Sequence, residues 1–276
     1  MLCACQFLNT SFFQKAQNLN AWFGILLKFG NADYTLPVSW QELTDRQLYY
    51  LYDLFLDNLS ADQIKTYCFF LWGKIRIECR YDEHDYIVRH DKETFKVSRE
   101  LIASAIHELD WIVEIPEYPV RISRIRKHAA LPADFQGVEF EKYIYCDNLY
   151  QGYLSTQKQE LLNEMAGILY NAPGIKTNAA EKLSTFYWFA SLKELFSRTF
   201  PSFLRPAGSM TSENLLEQGA PLGRRLQEAM NAQIRALTKG DITKEREVLS
   251  MDTWRALAEL DAQAKEYEEL KKQYGK

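Results

Sequence analysis

The chain has 276 residues, of which 47% are hydrophobic and 25% charged, and its formal net charge is −4. These values are typical of a globular protein and argue against both extensive disorder and a general nucleic-acid binder rich in Lys and Arg. No apolar run reaches the ~18 residues of a membrane-spanning helix. The five scattered cysteines favour a reducing compartment, so we expect a cytoplasmic protein.

The N-terminal part divides into a leader and a small hairpin. Residues 1–23 mix polar and aromatic residues without a clean period, which predicts a leader that is poorly ordered or docks as a helix. Residues 25–36 contain two short apolar runs around Gly30-Asn31, a pattern that predicts a β-hairpin. Pro37 ends its second strand because proline cannot donate to a strand ladder.

Several helix starts follow the predicted hairpin. Three have the spacing of a capping box, in which a hydroxyl residue precedes Glu or Gln by three positions: Ser39 with Glu42, Thr44 with Gln47, and Ser60 with Gln63. Ser98 is a further predicted cap, for a helix that extends to Trp111. The polar residues between 81 and 97 predict at most a short strand over residues 94–97.

The middle of the chain has a proline-rich stretch and a second helical block. Pro116, Pro119 and Pro132 make helices unfavourable, and the alternation over residues 138–145 predicts a strand or an extended arm. Thr156 with Gln159 has capping-box spacing, which predicts a helix start. Residues 179–198 are apolar most of the way round, which predicts a central core helix.

The C-terminal part consists of a linker and two helices. Residues 206–220 are small and polar, as in a linker, and helices are predicted over residues 221–238 and 252–274. The last helix has a partial heptad. Because two helices after a linker need something to pack on, we hypothesise that part of this heptad binds a protein partner: Trp254, Leu257, Leu260 and Tyr267.

These elements predict a mainly α protein, a helical bundle with a small N-terminal β-hairpin and a few short strands. Its expected organisation is a leader (1–23), a helical body (24–205), a linker (206–220) and a C-terminal helical hairpin or tail (221–276). Whether the last two helices pack on the body or point outward is open at this stage, because a core seam and a partner surface give the same apolar pattern.

The sequence contains no recognisable motif for catalysis, metal binding or a cofactor. There is no Walker loop, no dinucleotide fingerprint and no nucleophile elbow. Ser155 and Lys158 have the Ser-x-x-Lys spacing of some acyl enzymes, but the companion motifs are missing. The acidic stretch 82–85 and its histidine are typical of a solvated loop. We therefore expect no enzymatic activity, no metal and no cofactor.

One basic segment remains, in which cations are interleaved with apolar residues. Its cations are Arg121, Arg124, Arg126 and Lys127. A phosphate-binding arm has this composition, and so has an edge strand that charge protects from aggregation. The cations do not fall on one face at either the helical or the strand period, so both interpretations stay open. The first would make the protein nucleic-acid-associated.

Three stretches together resemble phage and prophage proteins that accompany tail genes, in particular small tail-assembly proteins. They are residues 27–44 (LKFGNADYTLPVSWQELT), residues 186–192 (FYWFASL) and residues 252–260 (DTWRALAEL). The resemblance implies a tail-assembly chaperone or a minor virion component in the cytoplasm of a host bacterium. Such a protein acts by contact, and its implied partner is a tape-measure or other tail protein.

Overall fold

A computed structural model describes residues 36–204 and 222–274. The predicted leader, the predicted hairpin except for its last residue, and the linker at 206–220 lie outside the described residues. The chain divides into two compact units, residues 1–116 and 117–276. The boundary between the units follows Pro116, the first of the prolines that interrupt the helical pattern. It divides residues 24–205, which the sequence predicted to form a single helical body.

The described part of the first unit, residues 36–116, contains three α-helices, and local capping defines where each begins. They are α1 (Asp45–Leu56), α2 (Ala61–Trp72) and α3 (Arg99–Ile106), the last continued by a 3-10 helix (His107–Val113). The predicted capping boxes at Thr44 and Ser60 are confirmed, and the Ser98 hydroxyl accepts the amide N–H of Leu101. At Ser39 only a 3-10 helix, Trp40–Glu42, begins, and the predicted capping box does not form because Glu42 accepts the Val38 amide instead.

A three-stranded antiparallel meander follows α2 in the first unit. Its strands are β1 (Ile75–Arg80), β2 (Asp85–His90) and β3 (Glu93–Ser98). The sequence predicted a short strand over residues 94–97, which is most of β3 and is confirmed, but it did not predict β1 and β2. The solvent face bears cross-strand ion pairs, Arg89 to Glu78 and Lys96 to Asp85. These charges make the segment look like a polar loop, whereas Val88 and Val97 bury the opposite face.

An aromatic cluster forms the core between the helices of the first unit. Trp40 lies 5.9 Å from Trp111 between ring centroids, and Trp72 stacks on Trp111 at 6.4 Å. The Trp40 indole N–H donates to the backbone oxygen of Trp111 at 3.0 Å. Beside these rings the ammonium of Lys65 is buried and paired with Asp62 and Asp110. These contacts join the 3-10 turn at Trp40 and helix α2 to the 3-10 helix His107–Val113.

The second unit begins with a two-stranded hairpin and continues with helices. The strands are β4 (Arg124–Ile125) and β5 (His128–Ala129), and the helices are α4 (Phe140–Thr156), α5 (Gln159–Leu169), α6 (Ala179–Thr199), α7 (Leu222–Thr238), α8 (Glu245–Leu249) and α9 (Thr253–Tyr274). The predicted fold class, mainly α with a small antiparallel β component, is confirmed. Among the described helices, none has the length and apolar character to cross a bilayer.

Two predictions about α4 were wrong. Residues 138–145 were expected to be extended, but the helix starts at Phe140 because Phe140, Tyr143 and Ile144 bury one helical face. The capping box predicted at Thr156 does not form. That hydroxyl donates to the Gly152 carbonyl inside α4, and Gln157, with a φ of 56°, ends the helix.

Helix α6 is the centre of the second unit, as predicted. An Asn178–Glu181 capping box starts it, and Trp188, Phe189 and Phe196 are completely buried. Each such side chain contributes about 1.5–3 kcal/mol of transfer free energy. The Trp188 indole N–H is satisfied by the Ala133 carbonyl at 2.7 Å. The core therefore buries large rings without leaving this donor unpaired.

The C-terminal helices pack on the body of the second unit. The Thr253 amide donates to the Val138 carbonyl and the Phe140 amide to the Met251 carbonyl, each at 2.8 Å. These bonds fix the start of α9 beside the start of α4. On α7, Met230 accepts a hydrogen bond from the Asn148 amide at 3.4 Å. The predicted hairpin of residues 221–276 is therefore part of a larger unit.

Candidate protein-interaction surface

The first half of α9 belongs to the core of the second unit. Leu257 and Leu260 are buried. The Trp254 ring lies 5.3 Å from Phe196 and 5.7 Å from Phe200, and its indole N–H donates to the Asp134 carbonyl at 2.7 Å. Three of the four side chains predicted to bind a partner are thus held by the chain itself. The partner surface has to be redrawn around the fourth, Tyr267.

The second half of α9 presents an uncovered apolar stripe. Residues 265–274, which we call the α9 tail, all have exposed side chains except Glu268, which is half-buried. Tyr267, Leu270 and Tyr274 are 69%, 51% and 83% exposed. Their spacing of three and four residues places them on one face of the helix. The fold therefore leaves this stripe available to another molecule.

The buried and exposed halves of α9 form one continuous heptad seam. Its positions repeat at intervals of three and four residues and are apolar except for Thr253 and Gln263: Thr253, Ala256, Leu260, Gln263, Tyr267, Leu270 and Tyr274. Thr253, Ala256 and Leu260 are buried against the body. From Tyr267 onward the same seam is exposed. This part of the seam has the apolar pattern of a helix that packs against another helix, but no described residue covers it.

A second uncovered apolar surface lies between α4 and α5. We call it the α4–α5 groove; its volume is about 700 Å³. Its apolar lining comes from Tyr145, Leu149, Ile168 and Pro173, and its charged lining residues are Glu141, Lys142 and Glu164. Tyr145 is 47% exposed. The groove is concave and mainly apolar, as surfaces that receive a helix or peptide usually are.

The position of the groove follows from how α4 and α5 pack. Near their connecting turn the helices are close, because a Cβ on Gly152 would lie 3.2 Å from the Leu161 side chain. The groove lies at the other end of the helix pair, where the side-chain amide of Asn148 donates a hydrogen bond to Met230 of α7. Sequence analysis missed this surface. The available signal was Tyr145 and Leu149, apolar residues outside the buried face of α4.

The basic segment forms the β4–β5 hairpin and its approach. Arg121 is used inside the fold, since its Nε donates to the Leu131 carbonyl at 2.7 Å and its guanidinium lies over the Trp188 ring. Arg126 donates to the Lys176 carbonyl at 3.0 Å. Arg124, Arg126 and Lys127 are exposed. The segment is therefore both an edge hairpin and a small basic surface.

The polar stretch around His84 is organised as a turn. The Asp82 carboxylate accepts the amide N–H groups of His84 and Asp85, both at 2.8 Å. The hydrogen bond from His84 is the largest influence on the Asp82 pKa, which lies below its usual value. This carboxylate therefore stabilises the turn. Across residues 36–204 and 222–274, no three His, Cys, Asp or Glu side chains are grouped as metal ligands.

Comparison with known proteins adds no relative to these observations. No protein-family model matches the chain, and no curated protein or solved structure matches it. The α9 tail and the α4–α5 groove are therefore the features from which a function is inferred.

Proposed function

We propose that this chain is an assembly or adaptor protein of a bacteriophage particle that works by protein contact, as a tail-assembly chaperone or minor virion component. The observation that carries the proposal is the α9 tail, a helix whose apolar seam continues beyond the body that covers its first half. Tyr267, Leu270 and Tyr274 lie on that seam and are exposed. Exposed contiguous apolar surface of this kind marks sites of protein interaction.

The tail suits docking against another helix. Ten helical residues extend about 15 Å, and an amphipathic helix with anchors at i, i+3 and i+7 is a common recognition element. Burying a Leu or aromatic side chain contributes about 1.5–3 kcal/mol of transfer free energy. Three such side chains offset only part of the cost of association, so the tail alone supports a reversible contact.

The partner proposed from the resemblance is a long helical virion protein of the tape-measure type. Such a protein has apolar helix faces that need cover before the particle assembles. Lys271 and Glu266 lie at opposite edges of the stripe on α9, so a partner surface with an apolar centre, an acidic group on one side and a basic group on the other is complementary to the tail. This chemistry would set the orientation of the contact.

Affinity purification from the phage-producing cells, followed by mass spectrometry, tests this role. The full-length chain is compared with Leu270→Asp in the α9 tail and with Ile242→Asp as a matched control. Ile242 is 79% exposed in the same unit, outside the tail and groove. We expect virion proteins with the wild type and the control, and their loss with Leu270→Asp. Recovery of no virion protein with any of the three would contradict the proposal.

A second candidate function, nucleic-acid association, is favoured by the arrangement of the β4–β5 hairpin. The Arg126 side chain donates a hydrogen bond to the Lys176 carbonyl. The exposed Lys176 is therefore a fourth cation near the three exposed cations of the hairpin, Arg124, Arg126 and Lys127. Arg124→Glu and Lys127→Glu are the informative changes, since Arg121 and Arg126 also hold the fold. Salt-sensitive DNA or RNA binding that these changes abolish supports this function, and absence of binding at low salt removes it.

A further inference from the structure

The apolar stripe of the α9 tail lies between one acidic and one basic side chain. Successive residues of a helix are rotated by about 100°, which places Glu266 about 70° to one side of the centre of the stripe and Lys271 about 70° to the other side. Both side chains are exposed, and neither has an ion-pair partner among the described residues. The other charges of the tail lie farther from the stripe, and Lys272 is on the opposite face of the helix. The stripe is therefore an apolar surface with opposite charges along its two edges.

Two such surfaces are complementary when their helices run parallel. A two-fold axis along the helix pair brings the acidic edge of each stripe against the basic edge of the other. Glu266 of one copy then faces Lys271 of the second copy, five residues further along, and this contact occurs twice. In a heptad with Tyr267 at position a and Leu270 at position d, these two residues occupy the g and e positions, which set partner choice and orientation in paired helices.

An antiparallel pair of tails lacks this match of charges. Its two-fold axis is perpendicular to the helices, so the edge that carries Glu266 faces the same edge of the second copy. The edge that carries Lys271 likewise faces its own equivalent. Like charges across an interface disfavour the arrangement that brings them together, so the charges favour the parallel pair.

The body of the second unit lies to one side of the stripe. The buried side chains in the first half of α9 are Thr253, Ala256, Leu257 and Leu260. Their mean direction is rotated by about 60° from the centre of the stripe, toward the edge that carries Lys271. In the parallel pair, the bodies of the two second units therefore lie on opposite sides of the paired helices. The pairing begins after Leu260, because the body still covers the seam at that residue.

We propose that the α9 tails of two copies pair in parallel and form a two-fold symmetric dimer. Tyr267, Leu270 and Tyr274 of each copy pack against the same residues of the other, and the Glu266–Lys271 pairs border them on both edges. This inference rests on the surface that carries the proposed function, and it names the molecule that covers the stripe when no virion protein is bound. Because both copies use the same patch, association stops at the dimer. The interface is small, so the dimer is weak and the stripe stays accessible to a partner.

Sedimentation velocity of the purified full-length chain tests the proposal. The concentration series extends to about 0.2 mM, because small interfaces bind weakly, and the salt concentration is about 50 mM, because salt screens exposed ion pairs. The charge variants are Glu266→Lys and Lys271→Glu. Lys272→Glu is the matched control, since it makes the same charge change on the opposite face of the helix. Leu270→Asp removes the apolar centre of the stripe. All four side chains are exposed, so these changes leave the fold intact.

The charge variants should lose association singly and regain it in combination. We expect the wild type and Lys272→Glu to form dimers and no larger species, and Leu270→Asp to stay monomeric. Glu266→Lys or Lys271→Glu alone replaces two attractions per dimer by two repulsions, so each should associate about 10-fold more weakly than the wild type. The double variant with both changes restores opposite charges and should dimerise about as strongly as the wild type. A mixture of the two single variants should form mixed dimers for the same reason.

Three outcomes would overturn the inference. They are a wild type that stays monomeric throughout the series, a Lys271→Glu variant that associates as strongly as Lys272→Glu, and a double variant that associates as weakly as the single variants. Because only purified chain is present, this result is independent of the recovery of virion proteins. Self-association without virion partners would leave the inference standing and the proposed function refuted. Virion partners with a monomeric chain would do the reverse.

Discussion

The ammonium of Lys65 lies 2.6 Å from the Asp110 carboxylate, so a buried cation of α2 is bound to the 3-10 helix that follows α3. The Lys65 side chain is 7% exposed and the Asp110 side chain 56%. Asp62, one turn earlier on α2, is a second partner at 2.9 Å. The pair lies beside the Trp72–Trp111 stack, and it fixes the position of the 3-10 helix in the first unit.

Replacing Asp110 with Asn should lower the free energy of unfolding by about 1–2 kcal/mol at pH 7. The expected loss of stability lies between the losses typical of breaking a buried ion pair and a surface ion pair, because Lys65 is buried and Asp110 is half exposed. Lys65 also retains Asp62. Chemical denaturation followed by tryptophan fluorescence measures the change. An unchanged unfolding midpoint would show that the pair contributes nothing to stability.

The same pair predicts how this difference depends on pH. Burial raises the Asp110 pKa, but the hydrogen bonds and positive charges of Lys65 and His107 lower it more, so the folded-state pKa is below the usual value. Stability from a depressed carboxyl pKa is present above the unfolded pKa and is lost as the pH falls through the folded pKa. The difference between wild type and Asp110→Asn should therefore shrink below about pH 4. A difference that grows on acidification contradicts this assignment.

The two halves of α9 should respond differently to truncation. Trp254→Ala removes a half-buried ring that contacts Phe196 and Phe200, and we expect a loss of about 2–3 kcal/mol. Tyr267→Ala removes an exposed ring and should change stability by less than about 0.5 kcal/mol. Thermal unfolding of both variants checks the division. Equal losses would mean that the tail is part of the core.

Helix capping gives a further matched pair. Asn178 accepts the Glu181 amide at 2.8 Å and starts α6, so Asn178→Ala should cost about 1 kcal/mol. Thr156 has capping-box spacing in the sequence but caps no helix, and Thr156→Ala should cost less than about 0.5 kcal/mol. Urea unfolding of the two variants compares them directly. A larger loss at Thr156 would restore the helix start that the sequence predicted.

The cysteines should differ in the rate at which their thiols are labelled. Burial raises the thiol pKa of Cys68 and Cys146, whereas Cys79 is exposed on β1. Since the thiolate is the reactive form, a chain carrying Cys3→Ser and Cys5→Ser should show one fast thiol in the native state. All three thiols should react in denaturant. Fast labelling of Cys68 or Cys146 at pH 8 would contradict their burial.

Local signals in the sequence predicted much of the helical fold. Thr44 and Ser60 begin helices because a capping box is a contact over three residues, which the sequence shows directly. The first two strands of the sheet at 75–98 were missed because charged residues such as Arg89 lie on its solvent face. The start of α4 was missed because Val138, Phe140 and Ile144 fit an alternating pattern, whereas Tyr143, three residues after Phe140, fits only the helix.

The interaction surface depends on tertiary packing and was only partly predictable. Leu260 and Tyr267 lie on the same heptad seam, and the sequence could not distinguish them. The body of the second unit covers Leu260 and leaves Tyr267 exposed. The α4–α5 groove lies between two helices that are adjacent in sequence, but its lining residues are as far apart in the sequence as Glu141 and Gly174.

Photo-cross-linking from the α9 tail tests the central claim most directly. A photoreactive amino acid at position 270, with position 242 as the control, is activated in the phage-producing cells, and the adducts are identified by mass spectrometry. Adducts to a virion protein should form from position 270 only. Equal, nonspecific labelling from both positions would show that the α9 tail is not an interaction surface.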